Sequence, residues 1–148
     1  MSTLLIFLLT GCSTDPAAQC SADTDAGTLQ ATIDGEDWLG EGVTWLWSGD
    51  SVQITTSGTD RITTVGHRDA AGSSIAELTE TLPITVSLDD DSGWAILYQG
   101  SDSERSVSGE LVITEYSEED ALAGCVTFDT DSGTAVADGV FRADYAGD

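Results

Sequence analysis

Three segments repeat an Asp-x-Asp-x-Gly pattern: Asp23-Thr24-Asp25-Ala26-Gly27, Asp89-Asp90-Asp91-Ser92-Gly93 and Asp129-Thr130-Asp131-Ser132-Gly133. Carboxylates at alternate positions ahead of a glycine can wrap a hard cation in oxygen ligands, as the first half of an EF-hand loop does. The bidentate Glu that completes such a loop is missing, and the third segment has Val140 where it would stand. Asp89, Asp91, Asp129 and Asp131 are therefore candidate calcium ligands. The competing reading is that Asp and Gly recur in solvated hairpin turns for backbone reasons alone. No other cofactor is expected.

Other chemistry is sparse. The single histidine, His67, is followed by Arg68 and Asp69, and the chain has no Gly-x-Ser-x-Gly elbow, Walker loop or His-x-x-x-His pair. No catalytic residue is assigned and the expectation is a protein that is not an enzyme. Val43, Trp45 and Trp47 alternate onto one face, which reads either as core packing or as a weak ligand platform, since aromatic rings stack on the apolar faces of sugars.

The charge balance narrows the partners further. Of 148 residues, 27 are acidic and four are basic, all four of them arginine, giving a net charge of −23. Such a chain is repelled by nucleic-acid phosphates and by anionic lipid headgroups. A hydrophobic content of 40% with four Trp separates it from acidic disordered tails, so a packed core is expected. Self-repulsion at this charge suits saline surroundings, where the screening length is short.

The amino terminus carries the clearest local signal. Leu4-Leu5-Ile6-Phe7-Leu8-Leu9 is too short to cross a bilayer and is followed by Leu9-Thr10-Gly11-Cys12 and then a polar, Asp-containing stretch. This ending resembles the lipobox of bacterial lipoproteins. The one departure is an amino-terminal region without Lys or Arg. The resemblance implies cleavage before Cys12, lipidation of its sulfur and attachment to a membrane through that lipid. It divides the chain into a signal peptide (1–11), a flexible acidic tether (12–27) and a single domain (28–148). Ser13 stands where lipoproteins retained at the inner membrane resemble one another in having Asp, which favours the outer membrane or cell surface of the envelope.

Export also bears on the other two cysteines. In an oxidising compartment Cys20 and Cys125 are expected to form a disulfide, closing a long loop. Cys125 alternates away from Leu122, Val126 and Phe128, so the tether would be stapled to the outside of a sheet. Two unpaired thiols remain the alternative, because spacing does not establish proximity.

Beyond residue 28 the hydrophobic period is two. Leu29, Ala31 and Ile33 lead to Asp34-Gly35, a pair suited to the positive φ of a tight hairpin, with the return placed on Val43, Trp45 and Trp47. Further strands are read at Val52–Ile54, Ile62–Val65, Ile84–Leu88, Trp94–Tyr98, Leu111–Tyr116, Leu122–Phe128 and Val136–Arg142. Trp94–Tyr98 is apolar on both faces, as a central strand would be. The expected fold is all-β, an antiparallel sandwich or barrel-like arrangement of about eight to nine strands. Ile75, Leu78 and Leu82 recur at helical spacing near residues 74–82, which reads as one short helix or as a loop packed over one end.

The opening TLQATIDGEDW and the closing SGELVITEYSEEDALAGCVTFDT…VADGVF are similar to the first hairpin and last strands of a group of small secreted bacterial lipoproteins of unknown function. That resemblance implies a lipid-anchored β-domain and carries over no catalytic residue. The functional expectation is a lipid-anchored extracytoplasmic module that binds a protein or small-molecule ligand; a structural envelope lipoprotein is the alternative and a hydrolase the third.

Overall fold

Alternation of apolar and polar side chains runs through ten β-strands, and the computed structural model describes Cys20 and residues 24–48, 51–67, 82–89 and 92–147 of the chain. The strands are β1 (Thr28–Ile33), β2 (Glu36–Glu41), β3 (Thr44–Ser48), β4 (Ser51–Thr55), β5 (Arg61–His67), β6 (Ile84–Ser87), β7 (Gly93–Gln99), β8 (Asp102–Tyr116), β9 (Ala121–Thr130) and β10 (Ala135–Tyr145). No helix occurs among the described residues. The proposed helix at 74–82 falls outside them except for Leu82, which is irregular.

Strands β10, β3, β4, β5, β7, β8 and β9 close into a seven-strand barrel. All pairings are antiparallel except the short parallel contact that seals the ring, where Asp144 and Tyr145 of β10 meet Thr44 and Trp45 of β3. The hairpin β1–β2 branches from β10, and β6 branches from β8. Cys125, on β9, is disulfide-bonded to Cys20 with 5.6 Å between the Cα atoms.

The expected hairpin return is corrected. Asp34 and Gly35 do adopt positive φ, but the chain comes back on β2, in full register with β1 from Thr28–Glu41 to Ile33–Glu36. The segment holding Trp45 and Trp47 is the following strand. An EDWLGE sequence looks like a loop because three of its six residues are acidic; as an edge strand it exposes those acids, which also discourages pairing with other chains.

The barrel interior is filled. Leu29, Val43, Trp45, Val52, Ile54, Ile62, Leu97, Leu111, Ile113, Leu122, Val126 and Phe141 form its centre, as side chains must in a barrel this narrow. Over the closing contact, Trp45 packs on Tyr145 at 4.9 Å between ring centroids, on Tyr116 at 5.6 Å and on Trp47 at 6.2 Å. The Trp45 indole N–H donates to the Asp120 carbonyl at 3.4 Å, so burying this ring leaves its one polar atom partnered.

Candidate functional site

Side-chain alternation fixes what each wall of the barrel presents to solvent. On β7, Ala95 and Leu97 are buried, so Trp94, Ile96 and Tyr98 point outward and are half-buried. Ile62 and Thr64 of β5 face inward, which turns Arg61, Thr63 and Val65 to the outer side, where Thr63 and Val65 are nevertheless buried. Val52 and Ile54 do the same for Ser51, Gln53 and Thr55 of β4, and Trp45 for Thr44, Leu46 and Ser48 of β3. The first part of β8 adds Ser103, Arg105 and Val107, the last of them 56% exposed.

Not one of the 27 acidic residues lies on β3, β4, β5 or β7, four neighbouring strands of the barrel. The rest of the ring differs: Glu110 and Glu115 of β8, Asp129 of β9, and Asp138 and Asp144 of β10 are all exposed, with Asp144 bordering Thr44 of β3. A carboxylate-free face on a chain of net charge −23 is the most distinctive surface among the described residues.

Two of its cations are held against its aromatic rings. The Arg61 guanidinium carbon lies 4.0 Å from the centre of Tyr98, its cross-strand partner, and that of Arg105 lies 4.9 Å from the centre of Trp94. Arg61 also donates to the Gly58 carbonyl at 3.4 Å. The Thr55 and Thr63 hydroxyls are 2.9 Å apart, and the buried Ser106 hydroxyl accepts the Ala95 N–H at 2.9 Å where the β7–β8 ladder opens. The face thus offers ring surface, fixed guanidinium donors and a border of hydroxyl and amide groups. Chemically this suits binding by stacking and hydrogen bonding.

The residues singled out in the sequence occupy other places. Trp45 is 1% exposed and belongs to the core, while Trp47 is half-buried beside it; neither lies on the outward face of β3. The Tyr116 hydroxyl next to them is pushed up from its ordinary pKa, mainly by burial and then by the nearby Glu118 charge. Asp89 accepts the Ser92 N–H at 3.4 Å within a bend. Asp129 stands on β9 opposite Ala135 and Ser108, and Asp131 begins the turn to β10 with its own N–H donating to the Arg105 carbonyl. Among the described residues no three His, Cys, Asp or Glu side chains converge as a metal site. Asp91 and Cys12 lie outside the described residues. His67 ends β5 opposite Ser51.

A second feature is a hollow of about 210 Å³ lined by Ile33, Asp34, Glu36, Asp37, Trp38 and Gln99. Its Asp34 carboxylate accepts the Ala135 N–H at 2.9 Å and is committed to holding the β1–β2 turn against β10.

Sequence reading missed Arg61, Trp94, Tyr98 and Arg105 as a group because they lie on three strands whose adjacency is not written in their spacing. Two signals were available: the alternation of Trp94, Ile96 and Tyr98, and the distribution of acids strand by strand. Comparison with protein-family models, with curated proteins and with solved structures gave no match.

Proposed function

We propose that the protein is a lipid-anchored extracytoplasmic module that binds a neutral, hydroxyl-rich ligand of the glycan class on its carboxylate-free wall. The observation that carries this reading is the exclusion of Asp and Glu from β3, β4, β5 and β7. A strongly anionic partner meets the repulsion of the whole chain, and a cationic one is drawn to the acidic wall instead. A neutral polymer is subject to neither. Trp94 and Tyr98 offer apolar ring surface to sugar C–H faces, while Gln53, Thr55, Ser103 and the two guanidiniums can satisfy hydroxyls.

The extracytoplasmic part rests on the Cys20–Cys125 bridge, since such bonds persist in oxidising compartments. The anchor rests on Cys12 behind Leu9-Thr10-Gly11 and on the similarity of the opening hairpin to secreted lipoproteins.

Native electrophoresis through gels containing dextran, mannan or a soluble β-glucan tests the binding face. The wild type is expected to be retarded in at least one gel, and the Trp94→Ala/Tyr98→Ala variant to run freely there. Equal migration of the two proteins in all three gels would overturn the glycan reading in favour of a structural envelope protein. Intact-mass measurement of the membrane-extracted chain tests the anchor, with Cys12→Ser expected to lose the acyl mass.

A further inference from the structure

Among the described residues β2 ends the sheet, with β1 on one side and no strand on the other. The turn decides which of its backbone groups face that open side. Asp34 and Gly35, with φ of 49° and 82°, form a two-residue turn, so Ile33 and Glu36 make the hydrogen-bonded pair that closes it, and bonded pairs recur at Ala31–Trp38 and Leu29–Gly40. The N–H and C=O groups of Asp37, Leu39 and Glu41 therefore point away from β1. The Glu41 carbonyl agrees, since it accepts the Ser57 N–H and the Ser57 hydroxyl, both at 3.0 Å. Among the described residues no backbone partner meets Asp37 or Leu39 on that side.

A strand added there would place its side chains in register with those of β2. Residues opposite Asp37 and Leu39 share their outward face, where Leu39 is 54% exposed and offers an apolar contact. The residue between them, opposite Trp38, points to the other face, toward the hollow of about 210 Å³ that Glu36, Asp37, Trp38 and Gln99 help to line. That volume lies below the roughly 300 Å³ at which small-molecule pockets begin, and it suits one long side chain. A Lys or Arg entering it meets the half-buried Trp38 ring and the Glu36 carboxylate.

Charge selects the occupant. Four of the eight residues 34–41 are acidic and none is basic. A second copy of this chain, at net charge −23, brings the same acids to the edge and is repelled, whereas a cationic strand is attracted. We propose that β2 is a docking edge for an extended basic segment of another protein, which adds as a strand beside Asp37 and Leu39 and sends one Lys or Arg side chain over Trp38. The site is built on the β1–β2 hairpin and does not rest on the glycan reading.

Fluorescence anisotropy with the full-length chain and a labelled, capped hexapeptide, Thr-Val-Lys-Arg-Val-Thr, tests it. The peptide presents an apolar residue beside two bases in either strand direction. Binding is expected, and its loss when Glu replaces both bases. Two changes separate strand addition from the pull of an acidic protein on any cation. N-methylation of alternate peptide amides keeps the charge, and of its two phases the one that blocks the pairing edge should weaken binding about tenfold while the other should not. Leu39→Pro removes an outward N–H without touching the β1 ladder, at an edge position where proline is tolerated, and should also weaken binding about tenfold. The methylated peptides leave the protein unchanged, so they decide the matter even if Leu39→Pro fails to fold. Equal binding of the parent peptide and both methylated forms would overturn the proposal, as would no binding at millimolar peptide. A wild-type chain that sediments as a dimer and becomes monomeric on Leu39→Pro would also overturn it, by making a second copy the occupant.

Discussion

Arg61 and Tyr98 face one another across the β5–β7 ladder, with the guanidinium carbon 4.0 Å from the ring centre. The pair fixes both a donor and a ring in the centre of the candidate binding wall. A double-mutant cycle of Arg61→Ala and Tyr98→Ala, read by urea denaturation, is expected to give a coupling of about 0.5–1 kcal/mol. Arg61→Lys should retain only part of it, because an ammonium lacks the planar face that stacks on the ring. A coupling of zero would mean that the two side chains merely lie side by side.

Two glycines in strands should respond to alanine in opposite ways. At Gly124 of β9 a Cβ would overlap the Val112 carbonyl oxygen of β8, so the ladder itself must move. Gly124→Ala is expected to cost about 2–4 kcal/mol. At Gly66 of β5 the added methyl would meet Val52, Leu111 and Val86 side chains at 3.5–3.6 Å, ordinary contact inside the core. Gly66→Ala should therefore change stability by less than about 1 kcal/mol, with the loss of unfolded-chain freedom favouring the fold. Denaturation midpoints of the two variants decide it.

The bridge between Cys20 and Cys125 spans a sequence separation of 105 residues. Chain-entropy reasoning for a loop of this length gives a loss of about 3–5 kcal/mol when it is removed. Cys125→Ser, or wild type under strong reductant, should shift the urea midpoint downward by the corresponding amount. Wild type and variant should then coincide in reductant; a remaining gap would show that the serine itself disturbs the wall.

What could be read from the sequence was whatever is local. Leu29, Ala31 and Ile33 gave β1 with its Asp34-Gly35 turn, and the alternation at Leu122, Val126 and Phe128 placed Cys125 on the outside. Residues with no hydrophobic alternation were missed. The acidic β2 reads locally as a connection, and β8 reads as starting at Leu111 although it begins at Asp102, because DSERSVSGE carries few apolar side chains. Barrel closure depends on a parallel contact of β10 with β3, roughly a hundred positions apart in the chain, and no local pattern encodes it. The binding wall escapes local reading for the same reason: Arg61 and Tyr98 are neighbours only once β5 and β7 have paired.

Salt should stabilise this protein. Net charge −23 opposes compaction, and raising NaCl from low to molar concentration shortens the screening length from about 10 Å to about 3 Å. The melting temperature is expected to climb across that range, and a flat or falling curve would contradict the electrostatic account. Millimolar CaCl₂ separates the Asp loops from this general effect. If Asp89, Asp91, Asp129 or Asp131 bind the ion, calcium will stabilise more than MgCl₂ or NaCl at matched ionic strength; if they are turn residues, the three salts will act alike.

Glu115 of β8 and Arg142 of β10 both stand opposite Ala123 of β9, one on each side, and they join over it in a two-pronged ion pair with both N–O distances 2.9 Å. Ala123 is 3% exposed although it faces outward, since the pair roofs it. The hydrogen bond from Arg142 holds the Glu115 carboxyl below its usual pKa of 4.5. A carboxylate whose pKa is lowered by folding adds stability above its unfolded value and loses it as pH falls through the lowered folded value. The pair should therefore contribute fully at pH 7 and fade below about pH 4.5. Both side chains are partly exposed, at 34% and 49%, so the contribution after solvent screening is at most about 1 kcal/mol. Urea midpoints of wild type and Glu115→Gln should differ at pH 7, draw together as acid titrates the wild-type carboxyl through its lowered folded pKa, and also converge at pH 7 in molar salt. A gap that ignores both pH and salt would assign the effect to the packing over Ala123 instead of to charge.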